Sequence, residues 1–471
     1  LLARTTNGTN WRSVPPYPGS PGAGPVRLYA NGEALGHLSR ALDICRATPE
    51  AIDEAQVVEL YRRRGRVLEV AGRHDEALRN YEELERLGRE RHSATLELGG
   101  LMPQAPIYVT PTPHLDADRG GELADRILTL AEQTGRADAA AYGHWVLLLL
   151  HINAAPDATR AVEEGERALA LAREHGLVEL EAYVLNDIGR AYAGVGRNDD
   201  AFASFEAAYG RWRALGNEPM MADILGIWTQ GLLLRGELAG AERLAREGLD
   251  IGRRISGPWA EAFSSHGLAF ALLEQGRTDE TIRLLWTAAE LALKGGFFNL
   301  VERTLITLRW LLGQEEQPDE VRQRLDAIWA QLTAAPRPLE MPQVWTALDL
   351  YFAGDAGAAY DLIETGQPDY SRGGPAAVFI ALIEPYLALV AGRPAEALTE
   401  ADTLLATLTG AGFASQMGEA LRLRGDALRQ LGRRDEARAA YTQALEVATK
   451  QGALRSVEPA RAALLQTTNY E

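Results

Sequence analysis

The sequence predicts an all-α fold: a right-handed superhelical solenoid of about ten helix-turn-helix repeats, each about 40 residues long. Three observations lead to this fold class. A small residue recurs at a nearly fixed interval, a glycine stands five positions before most of these small residues, and apolar or small residues follow four and seven positions after them. One repeat alone cannot bury such an apolar stripe, whereas stacked repeats can.

The recurring small residue, called the anchor here, marks the start of the second helix of each repeat. A small side chain is expected because two helices cross closely at that point. Successive anchors are 37 to 47 residues apart. They are Ala34, Ala77, Ala124, Ala161, Ala201, Ala241, Thr281, Val321, Ala359, Ala397 and Ala437. Val321 is the largest of them, so tight packing is least expected there.

A glycine five residues before the anchor is expected to end the first helix in a left-handed turn. It occurs as Gly72, Gly196, Gly236, Gly276, Gly354, Gly392 and Gly432.

The domain organisation follows from the spacing of these anchors and glycines. Residues 1–25, rich in proline and glycine, are expected to form a tail or linker, and residues 26–471 the superhelical domain. We expect the array to open on a lone second helix at about 28–47 and to close on a helix at 454–466.

One segment breaks the rhythm between the second and third anchors. Residues 99–121 contain Pro103, Pro106, Pro111 and Pro113, and proline opposes a regular helix. The sequence therefore predicts a proline-rich loop between repeats. Two interpretations stay open: an ordered loop packed along the solenoid, or a lid or docking loop.

Charge and composition exclude several classes of partner. The net charge of −17 opposes binding to phosphate backbones, and the dense basic run at 62–66 is flanked by Glu59 and Glu69. We expect no nucleic-acid partner, and we interpret the basic run as a solvated helix face. The single cysteine, Cys45, allows no disulfide within the chain and favours a cytoplasmic location. No signal-peptide pattern and no apolar run of membrane-spanning length is present, so no membrane partner is expected.

The sequence contains no recognisable constellation of catalytic or metal-binding residues. The glycine-rich stretch at 19–25 has no closing lysine for phosphate binding. His144 and His151 lie seven residues apart on an apolar helix and would need further ligands, so structural histidines are the better interpretation. We therefore expect no enzymatic activity, no cofactor and no metal.

Three repeats share a fuller signature. Gly65-x2-Leu68 is followed by Ala77 and Tyr81. Gly189-x2-Tyr192 is followed by Ala201 and Phe205, and Gly425-x2-Leu428 by Ala437 and Tyr441. This pattern resembles the tetratricopeptide repeat (TPR), and the resemblance covers roughly 26–466. It implies a protein that binds a protein or peptide, or a small-molecule effector, without catalysis.

The order of the parts resembles a narrower group. A half-repeat reading Leu28-Tyr29-Ala30-Asn31 opens the array, Thr110-Pro111-Thr112-Pro113 follows, and regular repeats such as 182–189 come next. This is similar to the C-terminal array of bacterial STAND-type signalling ATPases, transcriptional regulators and cyclases. The resemblance implies a sensor domain of a signalling protein. The alternative is a constitutive scaffold or co-chaperone for complex assembly.

A binding site in such an array is expected in the groove that the first helices line. Registering each first helix on its anchor predicts a groove that is polar at its ends and aromatic in the middle. We call its predicted lining the groove residues. They are Arg62, Arg66, Tyr183, Asn186, Arg190, Phe263, His266, Phe270, Arg303, Trp310, Tyr351, Phe379, Tyr386 and Arg422. Asn186 and Arg190 stand one turn apart and could hold a peptide carboxylate or backbone.

Overall fold

A computed structural model describes residues 25–47, 53–70, 73–110, 114–315, 317–335, 339–370 and 374–468. The predicted tail lies outside these residues, apart from Pro25, where the first helix begins. The helices are α1 (Pro25–Ala47), α2 (Glu54–Val70), α3 (His74–Glu90), α4 (Ala94–Val109), α5 (Ala117–Thr134), α6 (Ala137–Leu149), α7 (Ala158–Glu174), α8 (Val178–Gly194), α9 (Asn198–Leu215), α10 (Glu218–Leu234), α11 (Leu238–Arg254), α12 (Pro258–Glu274), α13 (Thr278–Gly295), α14 (Phe298–Gly313), α15 (Asp319–Thr333), α16 (Pro342–Phe352), α17 (Ala356–Gly366), α18 (Gly374–Ala381), α19 (Ile383–Val390), α20 (Pro394–Gly410), α21 (Met417–Gln430), α22 (Arg434–Gln451) and α23 (Leu454–Thr468). A short π-helical segment, Leu150–Ala154, extends α6.

The predicted all-α repeat architecture is confirmed. Helices α2 to α22 form successive helix-turn-helix pairs, with α18 and α19 together making one first helix. The anchors lie in the first turn of their second helices, except Ala34 and Ala124, which lie deeper in α1 and α5. Every anchor from Ala77 to Ala437 is fully buried except Val321, which is partly exposed. The side chain of Ala34 lies outside the described residues. At Val321 the bulkier side chain takes a peripheral position where alanine elsewhere lets the helices touch.

The turn glycines adopt the predicted left-handed conformation. Their φ angles run from 72° at Gly236 to 98° at Gly354, and Gly72 lies outside the described residues. Glycine is favoured there because a Cβ atom makes this conformation costly for other residues.

The glycine that opens the TPR-like signature in a first helix is needed for a different reason. An aromatic ring of the second helix approaches the backbone closely at this position. A Cβ atom on Gly65 would stand 2.2 Å from the ring of Tyr81. The equivalent distance is 2.3 Å from Gly189 to Phe205 and 2.5 Å from Gly425 to Tyr441. The aromatic ring four residues after each anchor therefore lies flat against the backbone of the first helix.

The prediction of an irregular loop over 99–121 is wrong for most of that segment. Helix α4 continues through Pro103 and Pro106 to Val109, and α5 begins at Ala117. Each internal proline costs a helix about 3 kcal/mol. Helix α4 is almost completely buried, with Leu101, Ala105 and Val109 at 0% exposure, so tertiary packing outweighs this cost. Outside these two helices, the described residues of the segment are Thr110 and 114–116, and the backbone N–H of Asp116 donates to the carbonyl of Tyr108 at 2.9 Å.

The described residues fall into two compact units. Unit 1 ends at Ile224 and also takes in Arg254–Gly257, and unit 2 holds Leu225–Arg253 and the chain from Pro258 onward. The sequence predicts one domain over 26–471, because the repeating pattern of anchors and turn glycines continues without a break past residue 224.

Unit 2 closes on itself. Its last helix, α23, packs against α12. The backbone N–H groups of Ala414 and Ser415 donate to the carbonyl of Leu234 at 2.7 and 3.0 Å. The side chain of Gln451 donates to the carbonyl of Ala414 at 2.7 Å. We call this contact between the end and the beginning of unit 2 the seam.

Among the described helices, none combines the length and the apolar character needed to cross a bilayer.

Candidate functional site

In unit 1 one of the groove residues, Arg66, has guanidinium N–H groups that donate to no other described residue. Arg66, on α2, donates from Nη1 to Glu69 at 2.9 Å, and Glu69 also accepts from the hydroxyl of Tyr81. The Nε and Nη2 atoms of Arg66 are buried and have no hydrogen-bond partner among the described residues. These two atoms form the edge of the guanidinium that can bind a carboxylate through two parallel hydrogen bonds.

A row of aromatic rings borders this guanidinium group. Tyr142 and Trp145 on α6 meet edge to face at 5.1 Å, and Tyr183 on α8 lies 5.5 Å from Trp145 and 4.7 Å from Trp212 on α9. The charge of Arg66 bears on the pKa of both Tyr142 and Tyr183, although burial is the larger effect and raises both values. Residues from α2, α6 and α8 therefore converge on one polar and aromatic cluster.

The same cluster also contains a carboxyl side chain, Asp187, and an amide side chain, Asn186. Asp187 is 1% exposed and accepts a hydrogen bond from the indole nitrogen of Trp145 at 2.8 Å. Burial raises its pKa to about 6, although Arg190, Trp145 and Asn186 act in the opposite direction. The Oδ1 atom of Asn186 is buried without a partner. The cluster thus offers free donors on Arg66 and a free acceptor on Asn186.

Replacing Asp187 with asparagine is expected to stabilise the protein at neutral pH and not at about pH 4. The folded-state pKa near 6 lies above the ordinary value of 3.8, so folded Asp187 holds a proton that the unfolded chain releases. The unfolding free energy therefore falls as the pH rises between these two values, by about 3 kcal/mol in order of magnitude. Asparagine can still accept from Trp145 and has no such loss. Thermal melts at several pH values would show this, with the exposed Asp250→Asn as the control. An identical pH profile for wild type and D187N would contradict it.

The other groove residues of unit 1 are exposed. Arg62 and Arg190 reach solvent, and Arg190 donates to the side chain of Asn153 at 3.1 Å. The neighbouring arginines are engaged: Arg63 donates to Glu59 at 2.5 Å and Arg64 to Asn80 at 2.9 Å. This pairing agrees with the interpretation of the basic run as a helix face and leaves Arg66 as the arginine with a buried free edge.

In unit 2 the aromatic groove residues are largely packed against one another. His266, Phe270 and Phe379 are 2 to 3% exposed. His266 contacts the hydroxyl of Thr304 at 3.0 Å, and burial lowers its pKa to about 3, so the ring is neutral. Phe263 is partly exposed and stacks on Trp259 at 4.8 Å. The last helix contributes to this burial, because Arg455 of α23 lies over the ring of Phe379, which in turn contacts Phe270.

Three further groove residues form a second aromatic cluster in unit 2. The rings of Trp310 and Tyr351 stack at 6.0 Å, Tyr386 meets Trp310 edge to face at 5.0 Å, and the hydroxyls of Tyr351 and Tyr386 lie 3.0 Å apart. Trp310 is 8% exposed, while both tyrosines are partly exposed. The cluster joins α14, α16 and α19.

The charged groove residues of unit 2 are held by acids. Arg303 pairs with Glu340, and its Nε atom is buried without a partner. Arg422 donates to both carboxylate oxygens of Glu419, at 2.9 and 2.6 Å, and to Asp426 at 2.5 Å. Arg422 therefore has little capacity left for a ligand.

Several notable residues were missed by the sequence reasoning. Tyr142, Trp145 and Asp187 were not assigned, although Asp187 stands beside the predicted groove residue Asn186. Glu274 and Arg455 were missed because they stand at the end of α12 and the start of α23, away from the register used for the groove. An acid that closes the apolar run 267–273 was the available signal for Glu274.

Chemistry other than binding has little support among the described residues. No group of three or more His, Cys, Asp or Glu side chains there could hold a metal ion. Cys45 is 8% exposed, and burial raises the pKa of its thiol, which opposes a role as a nucleophile.

Comparisons with known proteins give one family match and several remote structural likenesses. Residues 387–464 match the family model of a tetratricopeptide repeat-like domain. A structure of a human IFIT1 dimer with m7Gppp-AAAA is 14% identical, covers 90% of this chain and 87% of its own, and gives a TM-score of 0.46. Yeast Tom70 is 13% identical over 88% of this chain and 97% of its own, with a TM-score of 0.34. The P58(IPK) TPR domain is 14% identical over 83% and 99%, with a TM-score of 0.22.

These likenesses concern the fold alone. None of the curated proteins matches this chain in sequence. The chain is an α-solenoid of TPR-like repeats, an architecture suited to binding a protein or a ligand and in general a non-catalytic scaffold.

Proposed function

We propose that this chain is the non-enzymatic sensor array of a bacterial signalling protein in the cytoplasm, and that it binds the carboxylate of a peptide or small effector at Arg66. The observation that carries the proposal is the buried edge of this guanidinium, whose Nε and Nη2 atoms have no partner in the part of the chain that the structure describes. A buried polar group without a hydrogen bond costs about 1–3 kcal/mol, and a charged group costs more. A carboxylate would satisfy both donors at once.

The surroundings of Arg66 favour a peptide-like ligand. Tyr142 and Tyr183 supply apolar ring surface beside the guanidinium, and both carry hydroxyl groups. Asn186 supplies a free acceptor for an N–H group. A peptide with a free carboxyl terminus carries a carboxylate, N–H donors and apolar side chains, which are the three features that this cluster can receive.

The signalling assignment is supported by the sequence pattern of the array, namely the opening half-repeat and the Thr-Pro segment. The exclusion of nucleic acid is supported by the net charge of −17 and by the carboxylate and amide partners of Arg63 and Arg64. Salt-sensitive binding of an RNA or DNA oligonucleotide in a filter assay would overturn that exclusion.

Binding is expected to require both the free carboxylate and Arg66. A pool of short peptides with free carboxyl termini should bind to the purified chain in native mass spectrometry and calorimetry, and the same pool with amidated termini should bind about 10-fold to 100-fold more weakly. Arg66→Met should remove this difference. Arg63→Met, on the same helix and already paired with Glu59, is the matched control and should keep it.

Two outcomes would contradict the proposal. Equal binding of the free-carboxyl and amidated peptide pools would show that the site does not recognise the terminal carboxylate. A purified chain that binds neither pool, and that releases no small molecule on unfolding, would favour the constitutive scaffold.

A further inference from the structure

We propose that unit 2 contains a second ligand site, at the seam, which holds a small zwitterion of the amino-acid class between Glu274 and Arg455. The ammonium group would lie against Glu274 and the carboxylate against Arg455. The site uses none of the residues around Arg66, so it does not depend on the function proposed for unit 1.

The two charged side chains, Glu274 and Arg455, belong to the two helices that pack together at the seam. Glu274 is the last residue of α12 and is 4% exposed, and its Oε1 atom has no hydrogen-bond partner. Arg455 is the second residue of α23, and its buried Nη1 atom has none either. Their charges interact, since Arg455 lowers the pKa of Glu274 against the larger effect of burial. No ion pair or hydrogen bond among the described residues joins them.

Packing holds Arg455 away from the acid. Its guanidinium carbon lies 5.0 Å over the ring of Phe379, which is 2% exposed and packs against Phe270 at 6.0 Å. A Cβ atom on Gly276 would stand 3.8 Å from the backbone nitrogen of Arg455, so the main chain of α23 also lies close to the turn after α12. The guanidinium is therefore fixed on an aromatic face rather than free to swing onto Glu274.

Unpaired opposite charges in a buried place call for a group that bridges them. Each buried ion is costly without a partner, and the cost is recovered only through direct hydrogen bonds. Glu419 is also near, but Arg422 already occupies both of its oxygens. A single cation would pair with Glu274 and leave Arg455 without a partner. A single anion would pair with Arg455 and leave Glu274 without one. A zwitterion satisfies both and leaves the net charge of the site unchanged.

The neighbouring rings limit the size and chemistry of this ligand. Phe270 stands one turn before Glu274 on α12, and Phe379 lies under Arg455. A ligand that bridges the two charges would therefore lie close to aromatic rings, which suit a short apolar side chain. Because the charges belong to α12 and α23, a bound zwitterion would also strengthen the closure of unit 2.

The test uses the full chain and single L-amino acids as probes, with thermal shift and isothermal calorimetry as readouts. At least one amino acid at millimolar concentration should raise the melting temperature. Glu274→Gln and Arg455→Met should each weaken its binding about tenfold or more, because each removes a charge-assisted contact. The matched controls are Glu261→Gln on α12 and Arg461→Met on α23, whose side chains pair elsewhere, and both should bind normally.

Stability without ligand separates this site from a merely structural ion pair. Glu274→Gln removes an unpaired buried charge, so the ligand-free variant should melt at a higher temperature than wild type at pH 8. A lower melting temperature for E274Q, or no shift with any amino acid, would overturn the proposal. Arg66→Met should leave amino-acid binding unchanged, so failure of the peptide site in unit 1 and failure of the seam site can be told apart.

Discussion

Replacing Gly88 with alanine is expected to lower the unfolding free energy of unit 1 by about 2 kcal/mol. A Cβ atom on Gly88 would stand 2.2 Å from the backbone nitrogen and 2.6 Å from the Cα atom of Glu97. Backbone atoms cannot rotate away as a side chain can, so α3 and α4 must separate. Alanine gains about 1 kcal/mol in helix propensity, which offsets only part of this cost. Urea denaturation would measure the loss, and hydrogen exchange would place it in α3 and α4.

Gly210 offers a control for this experiment within the same unit. It lies on the exposed face of α9, and a Cβ atom there would meet nothing within 4 Å. Gly210→Ala should therefore stabilise the protein by up to about 1 kcal/mol, through helix propensity alone. If G88A and G210A changed stability in the same direction, the close approach of α3 and α4 would be refuted.

Replacing Arg422 with methionine is expected to destabilise unit 2 by about 3 kcal/mol. Arg422 is 17% exposed in its side chain and bridges Glu419 and Asp426, which are 16% and 18% exposed. Its removal leaves two carboxylates close together with little access to water. Asp426 also accepts the hydroxyl of Tyr441 at 2.7 Å, so the aromatic ring of the last full repeat would lose part of its support. Thermal and urea unfolding followed by circular dichroism would measure the effect.

Arg433 tests whether burial is the cause. It also makes two hydrogen bonds to one carboxylate, Glu436, but both side chains are about half exposed. Exposed ion pairs contribute about 0–1 kcal/mol, so Arg433→Met should change stability little. Equal effects of R422M and R433M would mean that the number of hydrogen bonds, rather than removal from water, determines the contribution of Arg422.

The features that recur locally along the chain could be predicted from the sequence. The anchors, the turn glycines and the helix pairs follow from contacts between residues a few turns apart, which leave a repeating pattern of residue types. Even the exception at Val321 could be anticipated, because a larger side chain at a crossing point stands out against alanine at the other repeats.

The features that depend on distant residues could not be predicted. Helix α4 remains helical at Pro103 and Pro106 because neighbouring helices bury it. Local helix propensity does not include that contribution. The burial of Phe270 and Phe379 depends on the seam, and the seam depends on the sum of small rotations between successive repeats. The unused donors of Arg66 and the unpaired Oε1 atom of Glu274 among the described residues have the same origin, since a sequence does not show which polar atoms fail to meet.

The closure of unit 2 changes how it should respond to denaturant. An open array of repeats has free ends, unfolds from them in steps, and couples each repeat only to its neighbours. In unit 2 the turn at Ala414 and Ser415 donates hydrogen bonds to Leu234 at the end of α10, and the last helix, α23, packs against α12. Fraying of α23 therefore breaks contacts with the beginning of the unit as well as with α22. Unit 2 should behave as one cooperative block with a slow, topology-limited folding step, because its last helix can dock only after its first has formed.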